Sequence, residues 1–106
     1  MKVVFLKEAE ADLHDLRTYF IRQFSNAAWL AHSRKLKQAI LKLAKFPQIG
    51  SVPDEIAHLG LLQYRHFVIG QTRVIYEIQP DIIVIHIVCD TRRNMRTLLT
   101  HRLLRA

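Results

Sequence analysis

In the first half of the chain, a short run typical of a strand is followed by two segments whose hydrophobic positions recur at helical spacing. Residues 3–6 form a short β-branched and aromatic run, which predicts a strand. Across residues 7–24 the apolar side chains recur at helical spacing, and a second stripe with the same period covers residues 29–46. Ser25 or Asn26 is expected to end the first helix and cap the second. The pattern therefore predicts a strand followed by a helical hairpin.

The second half predicts three strands and a tail helix. Residues 47–63 break the pattern, because Gly50, Pro53 and Gly60 indicate a long connecting loop. Three segments with strand character follow, at residues 64–69, 72–79 and 82–90. The turns between them are short, which favours antiparallel pairing.

Together these elements predict an α+β fold. Its order is β-α-α-β-β-β, with the helical hairpin packed on one face of an antiparallel sheet. Residues 91–106 return to helical spacing between arginines, which indicates a basic C-terminal helical tail. A length of 106 residues fits one domain, so residues 1–106 are expected to form a single unit.

Composition limits the possible classes of protein. Hydrophobic residues make up 50% of the chain and charged residues 24%, which excludes a disordered or low-complexity protein. One cysteine, Cys89, excludes an intrachain disulfide and favours a cytoplasmic location. No apolar stretch is long enough for a membrane span, and the charged N-terminus is unlike a signal peptide. Nothing in the sequence predicts a metal site or a cofactor.

The charge is concentrated in two blocks. The formal net charge is +7, but residues 1–24 are neutral and residues 51–90 carry a net charge of −3. Residues 25–50 and residues 91–106 each hold five bases and no acid. The second block includes Arg105. Two acid-free basic blocks indicate an acidic partner, either a nucleic acid or an acidic protein.

Strand geometry predicts a mixed face on the sheet. A two-residue turn at Pro80-Asp81 would place Ile87 and Cys89 with the residues under the helical hairpin, and Val88 and Asp90 with Arg73 on the opposite face. If the turn near Gly70 has three residues, Arg65 and Phe67 join that opposite face, whereas a two-residue turn moves them under the hairpin.

A three-residue turn is favoured, because an unpaired arginine buried under the hairpin would be costly. Arg65 and Arg73 would then form a clamp for phosphate or carboxylate. The alternative is internal ion pairing, with Arg73 bound to Glu77 or Asp90. The apolar remainder of this face needs a cover, which could be the tail or a helix of another protein.

The order of these segments resembles the ParE/RelE toxin superfamily over essentially the whole chain. The matching elements are the first helix KEAEADLHDLRTYF, the end of the second helix from Phe46-Pro47 to Gly50, the hairpin QYRHFVIGQTRVIYEI and the end of the last strand, IVIHIVCDTRR. The resemblance implies a bacterial toxin of a type II toxin-antitoxin module. Such a toxin is held inactive by a cognate antitoxin that wraps the sheet and helices.

The resemblance also implies site residues. Candidates for catalysis are Arg65, Arg73, Tyr76 and Asp90. Contact with the toxin's target is expected for Arg65, Arg73, Asp90, Arg92, Arg93 and Arg96. Antitoxin contacts are expected for Phe67, Ile75, Val84, His86, Met95 and Leu99.

Two activities occur in the superfamily, and the sequence favours the first. ParE-like members inhibit DNA gyrase by binding, whereas RelE-like members cut mRNA on the ribosome. RNA cleavage needs a base, an acid and cations, but no lysine follows Lys45, and Asp90 occupies the late position where many relatives have a histidine. A gyrase inhibitor is therefore predicted, with an mRNA endoribonuclease as the alternative. A plain nucleic-acid-binding module ranks last.

Overall fold

The computed structural model describes residues 1–103, so the last three positions of the predicted tail, including Arg105, lie outside the described residues. Within that range it contains four strands and four helices: β1 (Lys2–Phe5), α1 (Lys7–Gln23), α2 (Asn26–Lys45), α3 (Asp54–Ala57), β2 (Tyr64–Ile69), β3 (Thr72–Ile78), β4 (Ile82–Asp90) and α4 (Met95–Arg102). The α+β fold class and the order of its main elements are confirmed. The predicted loop of residues 47–63 also holds the short helix α3.

The helix boundaries follow local hydrogen-bonding signals. Ser25 caps α2, and its hydroxyl oxygen accepts a hydrogen bond from the backbone N–H of Ala28 at 3.0 Å. Asn94 caps α4 in the same way, accepting from the N–H of Thr97 at 3.1 Å. Glu8 in the first turn of α1 carries a negative charge where the helix dipole favours one.

The sheet has the strand order β1-β4-β3-β2. The two hairpin pairs, β2–β3 and β3–β4, are antiparallel, but β1 pairs with β4 in parallel. The predicted sheet was antiparallel throughout, and this one edge strand is the exception. A parallel neighbour requires a long connection, which the rest of the fold supplies between β1 and β4.

One face of the sheet carries the helical hairpin, and we call it the helix-pair face. Its side chains include Val74, Tyr76 and Ile85, which pack with Leu36 and Leu43 of α2 in a buried apolar core. The opposite face carries a second core, and we call it the covered face because α3 and α4 lie over it. This second core comprises Ile56, Tyr64, Ile75, Ile87, Cys89, Met95 and Leu99.

A β-bulge at His86 changes the predicted register. Tyr76 pairs with Ile85 as expected, but Ile75 pairs with Ile87, so His86 is an extra residue in β4. Every later side chain of β4 is therefore shifted by one position. Because successive strand residues point to opposite faces, Val88 lies on the helix-pair face and Cys89 on the covered face, the reverse of the prediction.

Candidate functional site

Arg65 and Arg73 lie on opposite faces of the sheet, so the predicted two-arginine clamp is wrong. Ile69 pairs with Thr72, which leaves a two-residue turn in which Gly70 has a φ of 60°. Arg65 pairs with Tyr76 and belongs to the helix-pair face, whereas Arg73 belongs to the covered face. The sequence argument assumed a three-residue turn, and a change of one residue moved Arg65 to the other face.

Arg73 is an internal anchor of the covered face. Only 9% of the residue is exposed, and its guanidinium donates two hydrogen bonds to the Glu55 carboxylate of α3, at 3.0 and 3.2 Å. Its Nε donates a third to Nδ1 of His66 at 2.8 Å. Internal pairing was the sequence alternative, but the partner is Glu55 and not Glu77 or Asp90. Arg73 therefore fastens α3 to the sheet.

This cluster fixes the charge states of its members. The hydrogen bond from Arg73 lowers the pKa of the Glu55 carboxyl group, which stays ionised beside the guanidinium. Burial, followed by the positive charge of Arg73, lowers the pKa of His66. A neutral ring that accepts at Nδ1 carries its proton on Nε2.

Arg65 and Tyr76 hold the loop before α3 against the sheet. Arg65 Nη1 donates to the carbonyl oxygen of Gly50 at 2.7 Å. The hydroxyl group of Tyr76 accepts from the N–H of Gly50 at 3.0 Å and donates to the carbonyl oxygen of Pro47 at 2.7 Å. Tyr76 is fully buried, and burial raises its pKa. Both side chains are engaged with this loop, and a catalytic role for either stays a prediction.

Gly50 is required by this arrangement. A Cβ atom at this position would lie 2.4 Å from the carbonyl oxygen of His66 and 2.7 Å from the hydroxyl oxygen of Tyr76. Backbone atoms of the sheet edge cannot move aside easily, so no larger residue fits.

The covered face is closed by the chain itself. Ile75 is fully buried, and Met95 and Leu99 of α4 are almost fully buried against it. The tail is thus the cover that the sequence required. Of the two covers that the sequence left open, the folded chain uses its own tail, because an amphipathic α4 is long enough to bury its apolar side chains there.

The predicted antitoxin contacts are consequently dispersed or enclosed. Phe67 lies on the helix-pair face, packed against that core, and Val84 is 5% exposed. His86 Nε2 lies 2.9 Å from the Glu77 carboxylate, and its ring contacts Tyr64 edge to face. Contact with an antitoxin stays a prediction for these residues, and for those under α4 it now requires α4 to move away.

Three arginines follow Asp90 at the end of β4 and form a basic surface there. The Asp90 carboxylate accepts hydrogen bonds from the N–H of Arg92 at 2.8 Å and from Arg92 Nε at 2.9 Å. The side-chain hydrogen bond from Arg92 is the main cause that lowers the pKa of the Asp90 carboxyl group. The Arg92 side chain is 67% exposed, and Arg93 and Arg96 are also exposed. We call Arg92, Arg93 and Arg96 the basic tip.

The basic tip borders an open cleft of about 350 Å³ between α1 and β4. Arg92 and Arg93 lie on one side of this cleft, and Asp12, Asp15 and Tyr19 of α1 lie on the other. Bases and acids thus face each other across a space that solvent can enter.

A second ion-pair cluster, which no sequence pattern indicated, fastens α4. Arg102 donates to both carboxylate oxygens of Asp12, at 3.0 and 3.1 Å, and lies 2.9 Å from the Glu8 carboxylate. It also donates to the carbonyl oxygen of His86 at the bulge. Asp12 in turn accepts from the N–H of Val88 at 3.0 Å. Arg102 belongs to the basic tail in sequence, but in the structure it is an internal anchor.

The candidate catalytic groups do not form one site. Arg73 is bound by Glu55 and His66 on the covered face, while Arg65 and Tyr76 are bound to the loop on the other face. Asp90 is bound to Arg92 at the tip. Cleavage of RNA needs an acid, a base and phosphate-binding cations around one reacting atom. The four predicted catalytic candidates do not form such a constellation with one another.

Comparison with known proteins identifies the family. The family model described as the ParE toxin of the type II toxin-antitoxin system, parDE, matches residues 3–95. The chain belongs to the ParE toxin family. Within residues 1–103, no helix is long and apolar enough to cross a membrane.

A solved structure supports the same fold. The chain is similar to one titled "Chromosomal ParDE TA system from P. aeruginosa", with a TM-score of 0.69 and 14% sequence identity. The alignment covers 85% of this chain and 95% of that one. A search of curated proteins found no match. The resemblance noted from the sequence is confirmed, and the chain is a ParE-type toxin whose system includes an antitoxin partner.

Proposed function

We propose that this ParE-type toxin inhibits DNA gyrase by binding it, and that a cognate antitoxin neutralises the toxin by occupying its surface. The observation that carries the proposal is the separation of the candidate catalytic groups, each of which is bound inside the chain. Inhibition by binding needs no acid-base site, so it is compatible with this separation of the candidates. Gyrase and its DNA are cytoplasmic, and the buried Cys89 thiol is compatible with that compartment.

The target-binding surface in this proposal is the basic tip. Arg93 and Arg96 are exposed, and neither forms an ion pair with another residue of the described part of the chain. Asp90 orients Arg92 through paired hydrogen bonds and therefore acts as a positioning residue. We leave Arg65 and Arg73 out of this surface, because Arg73 is bound to Glu55 and His66 on the covered face and Arg65 binds the Gly50 carbonyl oxygen on the helix-pair face. Exposed arginines provide charge and planar donor groups for acidic or phosphate-bearing surfaces.

A supercoiling assay with purified gyrase tests the proposal. We expect wild-type toxin to inhibit supercoiling, and Arg93→Glu combined with Arg96→Glu to raise the half-inhibitory concentration by about tenfold or more. The control is Arg17→Glu combined with Arg22→Glu, which makes the same charge change on exposed positions of α1. This control should stay within about threefold of wild type.

Two results would contradict the proposal. One is gyrase activity that is unaffected by a large excess of wild-type toxin. The other is a set of discrete cuts in translated mRNA, detected by primer extension, which would assign the protein to the endoribonucleases instead.

A further inference from the structure

The end of the molecule that carries the basic tip also carries a group of packed rings, and we call it the aromatic cluster. It surrounds the turn between α1 and α2 and comprises Tyr19, Phe20, Phe24, Trp29 and His32. Phe20 lies at its centre, stacked on His32 with ring centroids 4.5 Å apart and with its centroid 5.5 Å from that of Phe24. Such contacts give each ring a preferred orientation.

Two rings of the aromatic cluster face solvent. Phe24 is 63% exposed and Tyr19 is 40% exposed, whereas Trp29 is buried. The two exposed rings meet edge to face, with centroids 6.2 Å apart and an angle of 85° between their planes. A ring that its neighbours already hold in place loses little side-chain entropy when a flat partner stacks on it. This exposed pair is therefore suited to stacking.

Tyr19 joins the aromatic cluster to the basic tip. It interacts with the Arg92 guanidinium, and both side chains line the open cleft of about 350 Å³ between α1 and β4, which we call the tip cleft. On the other side of the aromatic cluster, His32 Nε2 lies 2.8 Å from the Thr72 hydroxyl group, and Thr72 pairs with Asp90 at the end of β4. The rings and the arginines thus form one continuous surface.

The wall of the tip cleft is chemically mixed. Its apolar part comes from Leu16, Val88 and Cys89. Arg92 and Arg93 supply positive charge at one side, and the cleft also holds carboxylates. A ligand that fits such a wall has an apolar body as well as polar groups of more than one kind.

Of the three carboxylates that line the tip cleft, Asp15 is the available one. Asp12 is bound by Arg102, and Asp90 is bound by Arg92. Asp15 is exposed and forms no ion pair with any residue of the range 1–103. It lies four residues before Tyr19 on α1, so the two side chains are neighbours on one face of the helix. Its oxygens can accept hydrogen bonds from a ligand beside the exposed ring.

We infer that this end of the toxin binds single-stranded nucleic acid. Bases stack on Tyr19 and Phe24, because every base has a flat face and exposed rings bind it without regard to sequence. Phosphates contact Arg92 and Arg93, whose planar donor groups suit phosphate oxygens. Asp15 accepts from the amino group of a base in the tip cleft. The inference goes beyond the proposed inhibition of gyrase, because the ligand is the nucleic acid itself.

The same features disfavour three other occupants. Duplex DNA keeps its bases stacked inside, so the exposed rings would have no partner. An acidic protein segment would pair with the arginines but would be repelled by Asp15 in the same cleft. A second copy of this chain, docked symmetrically, would bring the basic tip of one copy against that of the other.

The stacking step is tested with a fluorescently labelled DNA strand of about 12 nucleotides, whose anisotropy rises on binding. Phe24→Ala should weaken binding by about tenfold, because a stacking ring is lost. The matched control is Phe46→Ala, since Phe46 is 60% exposed and follows α2 as Phe24 follows α1. About 30 Å of helix separates the two positions, so this control should bind within about twofold of wild type.

The phosphate contacts are tested by salt. Arg93→Glu should weaken binding by about tenfold and lower the slope of affinity against salt concentration by about one phosphate contact. Lys45→Glu is the control, because it makes the same charge change on an exposed residue at the far end of α2. It should leave the slope nearly unchanged. Circular dichroism and a thermal melt establish that each variant is folded.

The role of Asp15 has a readout that a structural role would not move. Cytosine presents an amino group where thymine presents a carbonyl oxygen, so wild type should bind a strand of cytosines about fivefold more tightly than a strand of thymines. Asp15→Asn should bring the two affinities within about twofold, because an amide both donates and accepts. An unchanged preference in Asp15→Asn would remove the assignment of this residue.

The remaining outcomes separate this inference from the gyrase proposal. Absence of oligonucleotide binding at low salt, with inhibition of supercoiling intact, overturns the inference alone. Duplex DNA that competes as well as the single strand, or equal affinities of Phe24→Ala and Phe46→Ala, reduces the binding to charge and also overturns it. Oligonucleotide binding by a toxin that leaves gyrase active supports the inference and removes the gyrase proposal. Loss of gyrase inhibition by Phe24→Ala, with wild-type affinity for DNA, assigns the rings to a protein contact instead.

Discussion

The two faces of the sheet are closed in different ways. The helix-pair face lies under two helices of 17 and 20 residues, and its core is aliphatic and aromatic. The covered face lies under helices of four and eight residues that are fastened by Arg73 to Glu55 and by Arg102 to Asp12. Helices this short are not stable alone in water, so α3 and α4 depend on docking.

This difference predicts that the two faces have unequal local stability. A large apolar core opens only when the whole domain unfolds, whereas a small cover held by a few charged groups can detach on its own. Buried ion pairs also gain little net free energy, because desolvation offsets much of their attraction. We therefore expect the covered face to open first, and the experiments below test that order.

The largest expected effect is truncation of the helix-pair core. Leu43 is fully buried, and Leu43→Ala should lower the free energy of unfolding by ~3 kcal/mol through lost burial and the remaining cavity. Leu99→Ala under α4 should cost ~2 kcal/mol or less in urea unfolding, because the cover can separate from the sheet. Amide hydrogen exchange distinguishes the two variants.

The exchange pattern decides whether the faces are independent. We expect Leu43→Ala to speed exchange throughout the sheet and Leu99→Ala to speed it mainly in α4. If Leu99→Ala exposes β3 and β4 as fully as Leu43→Ala does, the two faces unfold as one unit and the comparison fails.

An intermediate effect is expected from the anchor of α4. The Arg102 side chain is 12% exposed and that of Asp12 is 19% exposed, so Arg102→Ala removes the cation that both carboxylate oxygens of Asp12 bind. The expected loss is ~2 kcal/mol, below that for a fully buried pair because the carboxylates keep some contact with water, and exchange in α4 should be faster than in α2. Arg96→Ala is the matched control, because it removes an exposed arginine from the same helix and should change stability by less than ~0.5 kcal/mol. Equal losses for Arg102→Ala and Arg96→Ala would mean that the ion pairs do not fasten α4.

The sequence predicted the elements well and the side-chain partners poorly, for a physical reason. Periodicity is a property of neighbouring residues, so the strands and the long helices could be recognised locally. The short helix α3 contributes a single buried residue, Ile56, and one apolar position has no period. The sequence allowed two covers for the covered face, the tail or a partner protein. The apolar spacing of the tail could not distinguish between them.

Strand register and ion-pair partners could not be predicted from the hydrophobic pattern, because they depend on single residues in turns and bulges or on residues far apart in the sequence. The two-residue turn at Gly70 put the side chains of the preceding strand β2 on the face opposite to the predicted one, and the bulge at His86 did the same for the side chains that follow it in β4. Asp12 and Arg102 lie 90 positions apart and meet only in the folded chain. The arginines of the basic tip could be predicted from the sequence, because a run of bases without acids is recognisable without knowledge of distant contacts.

The smallest expected effect concerns acid, and it compares one histidine on each face. Burial lowers the pKa of His66 on the covered face, with Arg73 as the next cause. Burial likewise lowers the pKa of His32, which lies 2.8 Å from the Thr72 hydroxyl group on the helix-pair face. Both rings bind protons more weakly in the folded state than in the unfolded state.

Their contribution to stability is therefore complete above the unfolded pKa near 6.5 and is lost as the pH falls below that value. Glu55 adds a further loss only below its ordinary pKa of 4.5, since Arg73 lowers it in the fold. Urea unfolding of wild type between pH 7.5 and 5 should show falling stability, and His66→Gln or His32→Gln should each flatten the slope. Exchange in α3 at pH 5.5 should respond to His66→Gln and not to His32→Gln, because only His66 contacts the arginine that fastens α3. A slope that survives in the double variant would assign the acid sensitivity to other groups and would remove this distinction between the faces.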